Sequence, residues 1–286
     1  MLARLDDGSH AWRFRAMASP CEILLDTGDA ALAARLGAMA QAEAQRIEAK
    51  WSRYRSDNLM HAINTAAGAA VEVDEETARL IDYGEHLHRF SEGRFDLTSG
   101  VLRRLWRFDG SECWVDADAV AAVLARVGWS RVEWNGRAIR LQPDMEIDFG
   151  GIGKEYAVDR SLTLLRDASD APLLVNYGGD LAASGPRRDG AEWQVGILDS
   201  TTRIRLRSGA VATSGSAYRH LWHAGRRYGH LLDARNGYPV ADAPQAVTVA
   251  APTCSAAGAL SSLALLHGAG ARGFLELQGA DYHVLD

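Results

Sequence analysis

The chain has 286 residues, 47% hydrophobic and 24% charged, with a net charge of -6, so it can hold one large domain or two intimately packed ones around a substantial core. An acidic protein gains nothing from contact with nucleic acid or an anionic membrane, and no stretch of ~18 apolar residues is present, so neither nucleic-acid binding nor membrane insertion is expected. Cys21, Cys113 and Cys254 lack metal-type spacing, and the first ten residues hold no apolar run, which points to a cytoplasmic protein without a zinc site or disulfide framework.

Weak alternation over residues 12–26 predicts opening strands broken at Ser19-Pro20. Residues 31–51 read as a long helix, because Leu32, Leu36, Ala40, Ala44, Ile47 and Trp51 recur three or four apart on one face. A second helix spans 75–90, entered by Asp74 as cap and ended at Gly93. Phe95-Asp96-Leu97-Thr98 follows as a connector, then a helical 102–106 and a helix over 117–127 capped by Asp116. Asn135-Gly136 is a strong hairpin signal between strands at 131–134 and 137–141. Residues 145–149 read as a short apolar strand that ends in glycines and runs through Lys154 into a helix reaching 165. The second half is strand-rich, with strands at 173–176, 193–198, 203–206, 219–223, 228–232 and 246–251, a helix over 255–266 and a last strand at 282–285. This is an α+β pattern built on antiparallel hairpins.

The joint Asp148-Phe149-Gly150-Gly151-Ile152-Gly153-Lys154 is suited to an anion. Glycines let the backbone approach a ligand, a helix N-terminus offers unpaired N–H groups, and a lysine adds a point charge. It matches neither the P-loop nor the dinucleotide fingerprint, and alone it reads equally as a tight turn. Three further polar, glycine-rich segments follow: Val175-Asn176-Tyr177-Gly178-Gly179-Asp180, Ala212-Thr213-Ser214-Gly215 and His230-Leu231-Leu232-Asp233-Ala234-Arg235-Asn236-Gly237-Tyr238-Pro239. Together with Phe95-Asp96-Leu97-Thr98, and in this order and spacing, they resemble the ApbE family of FAD:protein FMN transferases over residues 17–266.

The resemblance implies a single domain over 1–286 made of two intimately packed α/β subdomains with mixed or antiparallel sheets and a flavin cleft between them. It also implies that Mg²⁺ helps to break the pyrophosphate of FAD, that FMN passes to a threonine or serine of a target flavoprotein, and that AMP leaves. The protein's task would be to position groups and neutralise phosphate charge. By resemblance Asp148 contacts FAD, although it could simply cap the following turn, and Lys154 meets the pyrophosphate or a flavin carbonyl, its plainer role being a solvated first-turn lysine. Tyr54 matches the aromatic that stacks on the flavin or adenine end, where a core aromatic is the ordinary alternative. Met17, Arg94, Phe95, Asp96 and Leu231 match cleft positions, and Asp96 and Thr98 read equally as turn residues. Thr213-Ser214-Gly215 would supply hydroxyls. His230 matches the family's motif histidine, whose neutral imidazole could take the acceptor hydroxyl's proton, with Asp233 orienting either it or the loop. A hydrolase reading of Ser214, His230 and Asp233 lacks a Gly-x-Ser-x-Gly elbow.

The implied metal ligands are the Gly151 carbonyl and the motif Ala-Asp-Ala-x-x-Thr, which here reads Ala257-Gly258-Ala259-Leu260-Ser261-Ser262. Ser261 and Ser262 keep hydroxyls, but the aspartate is Gly258, and Mg²⁺ relies on one or two carboxylates. The family's Lys-Gly pair is Lys154-Glu155 here, and Asp-Pro is Asp233-Ala234. Glu155, ahead of Asp148 or Asp233, is expected to supply the missing charge, unless it only favours the first turn of its helix. Three readings follow: a transferase, a non-catalytic FAD-binding protein, and a FAD pyrophosphatase. Restoring an aspartate at 258 is expected to separate the first two.

Overall fold

The computed structural model describes residues 1–196, 203–217 and 219–286. The chain opens with β1 (Leu2–Arg4), β2 (His10–Ala16), β3 (Ser19–Leu25), α1 (Ala30–Trp51), α2 (Leu59–Asn64), β4 (Val71–Glu72) and α3 (Glu75–Phe90). A 3-10 helix (Leu97–Arg104), α4 (Ala117–Leu124), β5 (Glu133–Trp134), β6 (Ala138–Arg140), α5 (Gly153–Ala168), β7 (Leu173–Tyr177) and β8 (Asp180–Ala183) follow. The remainder comprises β9 (Trp193–Gly196), β10 (Arg203–Leu206), β11 (Gly209–Gly215), β12 (His220–His223), β13 (Arg226–Gly229), β14 (Ala246–Ala251), α6 (Cys254–Leu266), α7 (Ala271–Leu277) and β15 (Asp281–Leu285).

The mixed helix and antiparallel-sheet architecture is the expected one. Eight strands form one sheet in the order β1-β2-β3-β7-β8-β11-β14-β15, and each neighbouring pair is antiparallel. The main core lies between this sheet and helices α1, α5 and α6. Asp29 caps α1 through the N–H groups of Ala31 and Leu32, and the predicted stripe of Leu36, Ala40, Ala44, Ile47 and Trp51 is buried. Gly37 lets the helix sit directly on the sheet, since a Cβ there would lie 2.3 Å from Cγ of Trp12. No helix among the described residues is long and apolar enough to cross a membrane.

Several elements depart from expectation for identifiable reasons. The first hairpin turns at Met17-Ala18, both with positive φ, rather than at Ser19-Pro20, because a two-residue turn matches strand twist only in that conformation. Pro20 lies inside β3, just before its ladder with β7 begins at Cys21. Residues 145–149 form no strand. Their backbone is satisfied instead by Asn64, which bonds both the N–H (2.8 Å) and the carbonyl (3.0 Å) of Ile147, and by Leu97 O, which accepts the Asp148 N–H at 3.0 Å.

Helical structure begins at Leu97 rather than at 102, because Asp96 caps it, and α4 stops at Leu124 rather than 127. The expected strand at 193–198 is described to Gly196, and residues 197 and 198 lie outside the described residues. The strand expected at 228–232 is β13, Arg226–Gly229. Arg103 and Arg104 both pair with Glu146. The polar stretch 212–215 is part of β11, a central strand, where the Thr213 and Thr248 hydroxyls bond each other at 2.8 Å across the β11–β14 pair.

Candidate functional site

The β7–β8 hairpin and the start of α5 bring two of the motifs together. Gly178 and Gly179 take positive φ in the two-residue turn, which places Asp180 at the head of β8, 2% exposed. Its Oδ2 lies 2.6 Å from Lys154 Nζ, and its Oδ1 accepts the Thr213 N–H at 3.2 Å. Lys154 is therefore no solvated lysine, with a side chain only 28% exposed. Burial works against its charge, but Asp180 and Glu155 outweigh that and hold its pKa above the ordinary lysine value.

Glu155 turns inward. Asp159, one turn further along α5, caps α6 by accepting the Cys254 N–H (2.7 Å) and the Ser255 N–H (2.8 Å), and so fixes α6 against α5. A Cβ on Gly258 would lie 2.5 Å from Cγ of Glu155, so the glutamate fills the space a side chain at 258 would need. Its Oε2 is buried without a hydrogen-bond partner among the described residues. Burial first, then repulsion from Asp180, pushes its pKa up to about 8 against the pull of Lys154. Nearby, Ser214 Oγ lies 2.8 Å from Ser261 Oγ and 2.9 Å from Ser262 Oγ, and Ser261 donates to Gly258 O at 3.0 Å. No group of three or more His, Cys, Asp or Glu residues that could hold a metal occurs among the described residues.

Asp148 accepts the Gly150 N–H at 3.0 Å and pairs with Arg53, whose guanidinium lies 5.1 Å from the ring centre of Tyr54. Tyr54 is 81% exposed, which rules out the core role an aromatic at a helix end would ordinarily have. Gly151 is exposed, and a Cβ there would lie 3.1 Å from the Phe95 ring. Asp96, matched to a cleft position and read equally as a turn residue, has its side chain committed to neighbouring backbone and side chains. It is buried, and its oxygens accept Thr98 N–H (2.8 Å), Thr98 Oγ1 (2.6 Å) and Trp129 N–H (2.8 Å), with His88 Nδ1 at 3.2 Å. Those bonds leave Asp96 a structural cap. Arg94 donates to Ser91 O at 3.1 Å, and its own carbonyl accepts the Ala234 N–H at 3.1 Å, tying this segment to the loop after His230. Met17 is half-buried in the β2–β3 turn.

His230 Nδ1 is buried and has no partner among the described residues. Burial, then the positive charge of Arg219, with Lys154 adding to it, lowers the imidazole pKa to about 4, so the ring is neutral at physiological pH. Asp233 holds the loop rather than the histidine: it pairs with Arg235 at 2.6 Å, and its backbone closes the turn through Tyr238 O and Gly237 N–H. With Asp233 committed to Arg235 and Ser214 to Ser261 and Ser262, the hydrolase triad is not assembled. Leu231 is half-buried between the main core and the cluster around Val247 and Leu265. The sequence assigns no role to Asp180 or Arg53. The signal for Asp180 was its place after Gly178-Gly179 in a predicted turn, whereas Arg53 had none.

The ApbE family model matches residues 17–284. The chain is 29% identical over 242 residues to an FAD:protein FMN transferase of Klebsiella pneumoniae, covering 79% of this chain and 69% of the relative. The crystal structure of the ApbE protein of Thermotoga maritima superposes with a TM-score of 0.84 at 28% identity, covering 96% of this chain and 94% of that one. The apo flavinyl transferase ApbE of Pseudomonas stutzeri gives 0.85 at 27% identity, with 97% and 91% covered. With a family match over most of its length and a shared fold, the chain belongs to the ApbE family.

Proposed function

We propose that the protein is an FAD:protein FMN transferase that joins FMN through a phosphoester to a threonine or serine of a target flavoprotein. The observation that carries the catalytic reading, against a mere FAD binder, is Glu155: a buried carboxylate with an unpartnered oxygen stands where a side chain at 258 would reach. The carboxylate lost from α6 is supplied from α5. On this reading Glu155, the hydroxyls of Ser261 and Ser262 and the carbonyl of Gly151 are the hard oxygen donors that would hold Mg²⁺, the remaining ligands coming from phosphate and water. Bound there, Mg²⁺ would neutralise charge on the pyrophosphate.

The protein groups divide the remaining work. Lys154, held by Asp180, supplies a fixed positive charge to the pyrophosphate, and Tyr54 offers an exposed face for stacking. In the transfer the acceptor oxygen forms a bond to the FMN phosphorus, the pyrophosphate P–O bond to AMP breaks, and the hydroxyl proton passes to the neutral His230 ring. Incubating the protein with FAD and Mg²⁺, with and without a threonine peptide, tests this. AMP together with a peptide heavier by one FMN supports the transferase, AMP with free FMN means hydrolysis, and tight FAD binding with neither product returns the non-catalytic reading.

A further inference from the structure

The chain holds two Asn-Gly pairs, Asn135-Gly136 between β5 and β6 and Asn236-Gly237 in the loop after His230. A glycine after asparagine carries no side chain to obstruct its backbone nitrogen, so that nitrogen can reach the asparagine's own side-chain carbon. Both asparagines are exposed, and their side chains are set alike. Asn135 Oδ1 accepts the Arg137 N–H at 3.0 Å and the Ala138 N–H at 2.8 Å, and Asn236 Oδ1 accepts the Tyr238 N–H at 2.9 Å. Each of these bonds draws electron density from the side-chain carbon and makes it a better electrophile. The two glycines differ. Gly237 is buried, its N–H donates to Asp233 O at 2.8 Å, its carbonyl accepts Trp106 Nε1 at 2.9 Å, and a Cβ there would lie 3.0 Å from Val120. A nitrogen held in this way turns toward a side chain only by giving up a buried hydrogen bond. Gly136 is exposed, its N–H has no partner among the described residues, and a Cβ there would meet nothing within 4 Å.

We propose that Asn135 is a site of spontaneous deamidation in the folded protein, and that Asn236, in the same dipeptide, is protected by the fold. The Gly136 nitrogen forms a bond to Asn135 Cγ, the bond from Cγ to the side-chain nitrogen breaks, and ammonia leaves with the proton of the Gly136 N–H. Water then opens the resulting succinimide at either of its carbonyls, giving aspartate or isoaspartate. Each conversion adds one negative charge to a chain of net charge -6. An isoaspartate also lengthens the turn that joins β5 to β6 by one backbone carbon. Neither step depends on the transferase activity.

The test incubates the full chain in mildly alkaline buffer and follows the fraction of acid at positions 135 and 236 by peptide mapping with mass spectrometry. The same time course is run on the chain unfolded in urea. In the folded protein conversion at Asn135 should outpace that at Asn236 by about tenfold, the factor that corresponds to one buried hydrogen bond. In urea, where the Gly237 N–H is released from Asp233, the ratio should fall to about one. Both positions are read in one sample, so differences in preparation cancel. Asn135→Gln should remove the acidic species that isoelectric focusing detects as the wild type ages. Equal rates in the folded chain, faster conversion at Asn236, or no conversion at Asn135 overturns the proposal. An acidic species that forms as fast in Asn135→Gln places the labile amide elsewhere and overturns it as well.

Discussion

Gly258 on α6 and Glu155 on α5 share one space: a Cβ on the glycine would lie 2.5 Å from Cγ of the glutamate. Restoring an aspartate at 258 alone therefore does not rebuild a metal site, because the carboxylate already present blocks it. Gly258→Asp should lower stability by about 1–3 kcal/mol through overpacking. The double variant Glu155→Gly with Gly258→Asp should recover both stability and Mg²⁺-dependent AMP release. Thermal denaturation with and without Mg²⁺ checks this, and a single variant as stable as the wild type would contradict it. Glu155→Gln should abolish the Mg²⁺-dependent rise in melting temperature as well as turnover.

Lys154 and Asp180 should behave as one unit. Asp180→Asn removes the buried partner of the lysine and weakens the bond to Thr213 N–H, so a loss of about 3 kcal/mol is expected. Lys154→Met should weaken FAD binding. The double variant should be less destabilised than the sum of the single ones, because the second change removes a charge already orphaned by the first. Additive effects in a denaturation cycle would separate the two residues.

The pH response of His230 follows from its surroundings. Its folded pKa is lowered from 6.5 to about 4, so between those values the unfolded chain binds the proton more readily than the folded one. The resulting stability is present above pH 6.5 and is lost as pH falls through about 4. An NMR titration of the FAD-free protein should show His230 neutral at pH 6, and the acid limb of kcat/KM assigned to it should lie nearer 4 than 6.5. His230→Gln should remove transfer to the acceptor peptide while leaving FAD binding measurable.

Tyr54 and Asp96 should separate binding from folding. Tyr54→Ala removes an exposed ring and should leave the melting temperature unchanged while weakening FAD binding by about 2- to 10-fold. Asp96→Asn disturbs a buried cap that serves Thr98, Trp129 and His88, and should cost about 2–4 kcal/mol of stability. Calorimetry with flavin-fluorescence titration distinguishes the two patterns.

The long helices were readable in advance because their evidence is local. The buried stripe from Leu36 to Trp51, the caps Asp74 and Asp116, and the Asn135-Gly136 turn each act within a few residues of chain. The glycine-bounded motifs likewise identify the family. Contacts between distant segments decided the rest. Thr213 and Ser214 look like loop residues until Thr248, Ser261 and Ser262, dozens of positions away, satisfy their hydroxyls in a central strand. Residues 145–149 look like a strand until Asn64 and Leu97 take their backbone bonds. Gly258 and Glu155 are two unrelated positions in sequence, and only the packing of α5 on α6 puts them in one space. Hydrogen-bond satisfaction and steric exclusion act through space, so their outcome is set by which distant residues the fold brings within a few ångströms.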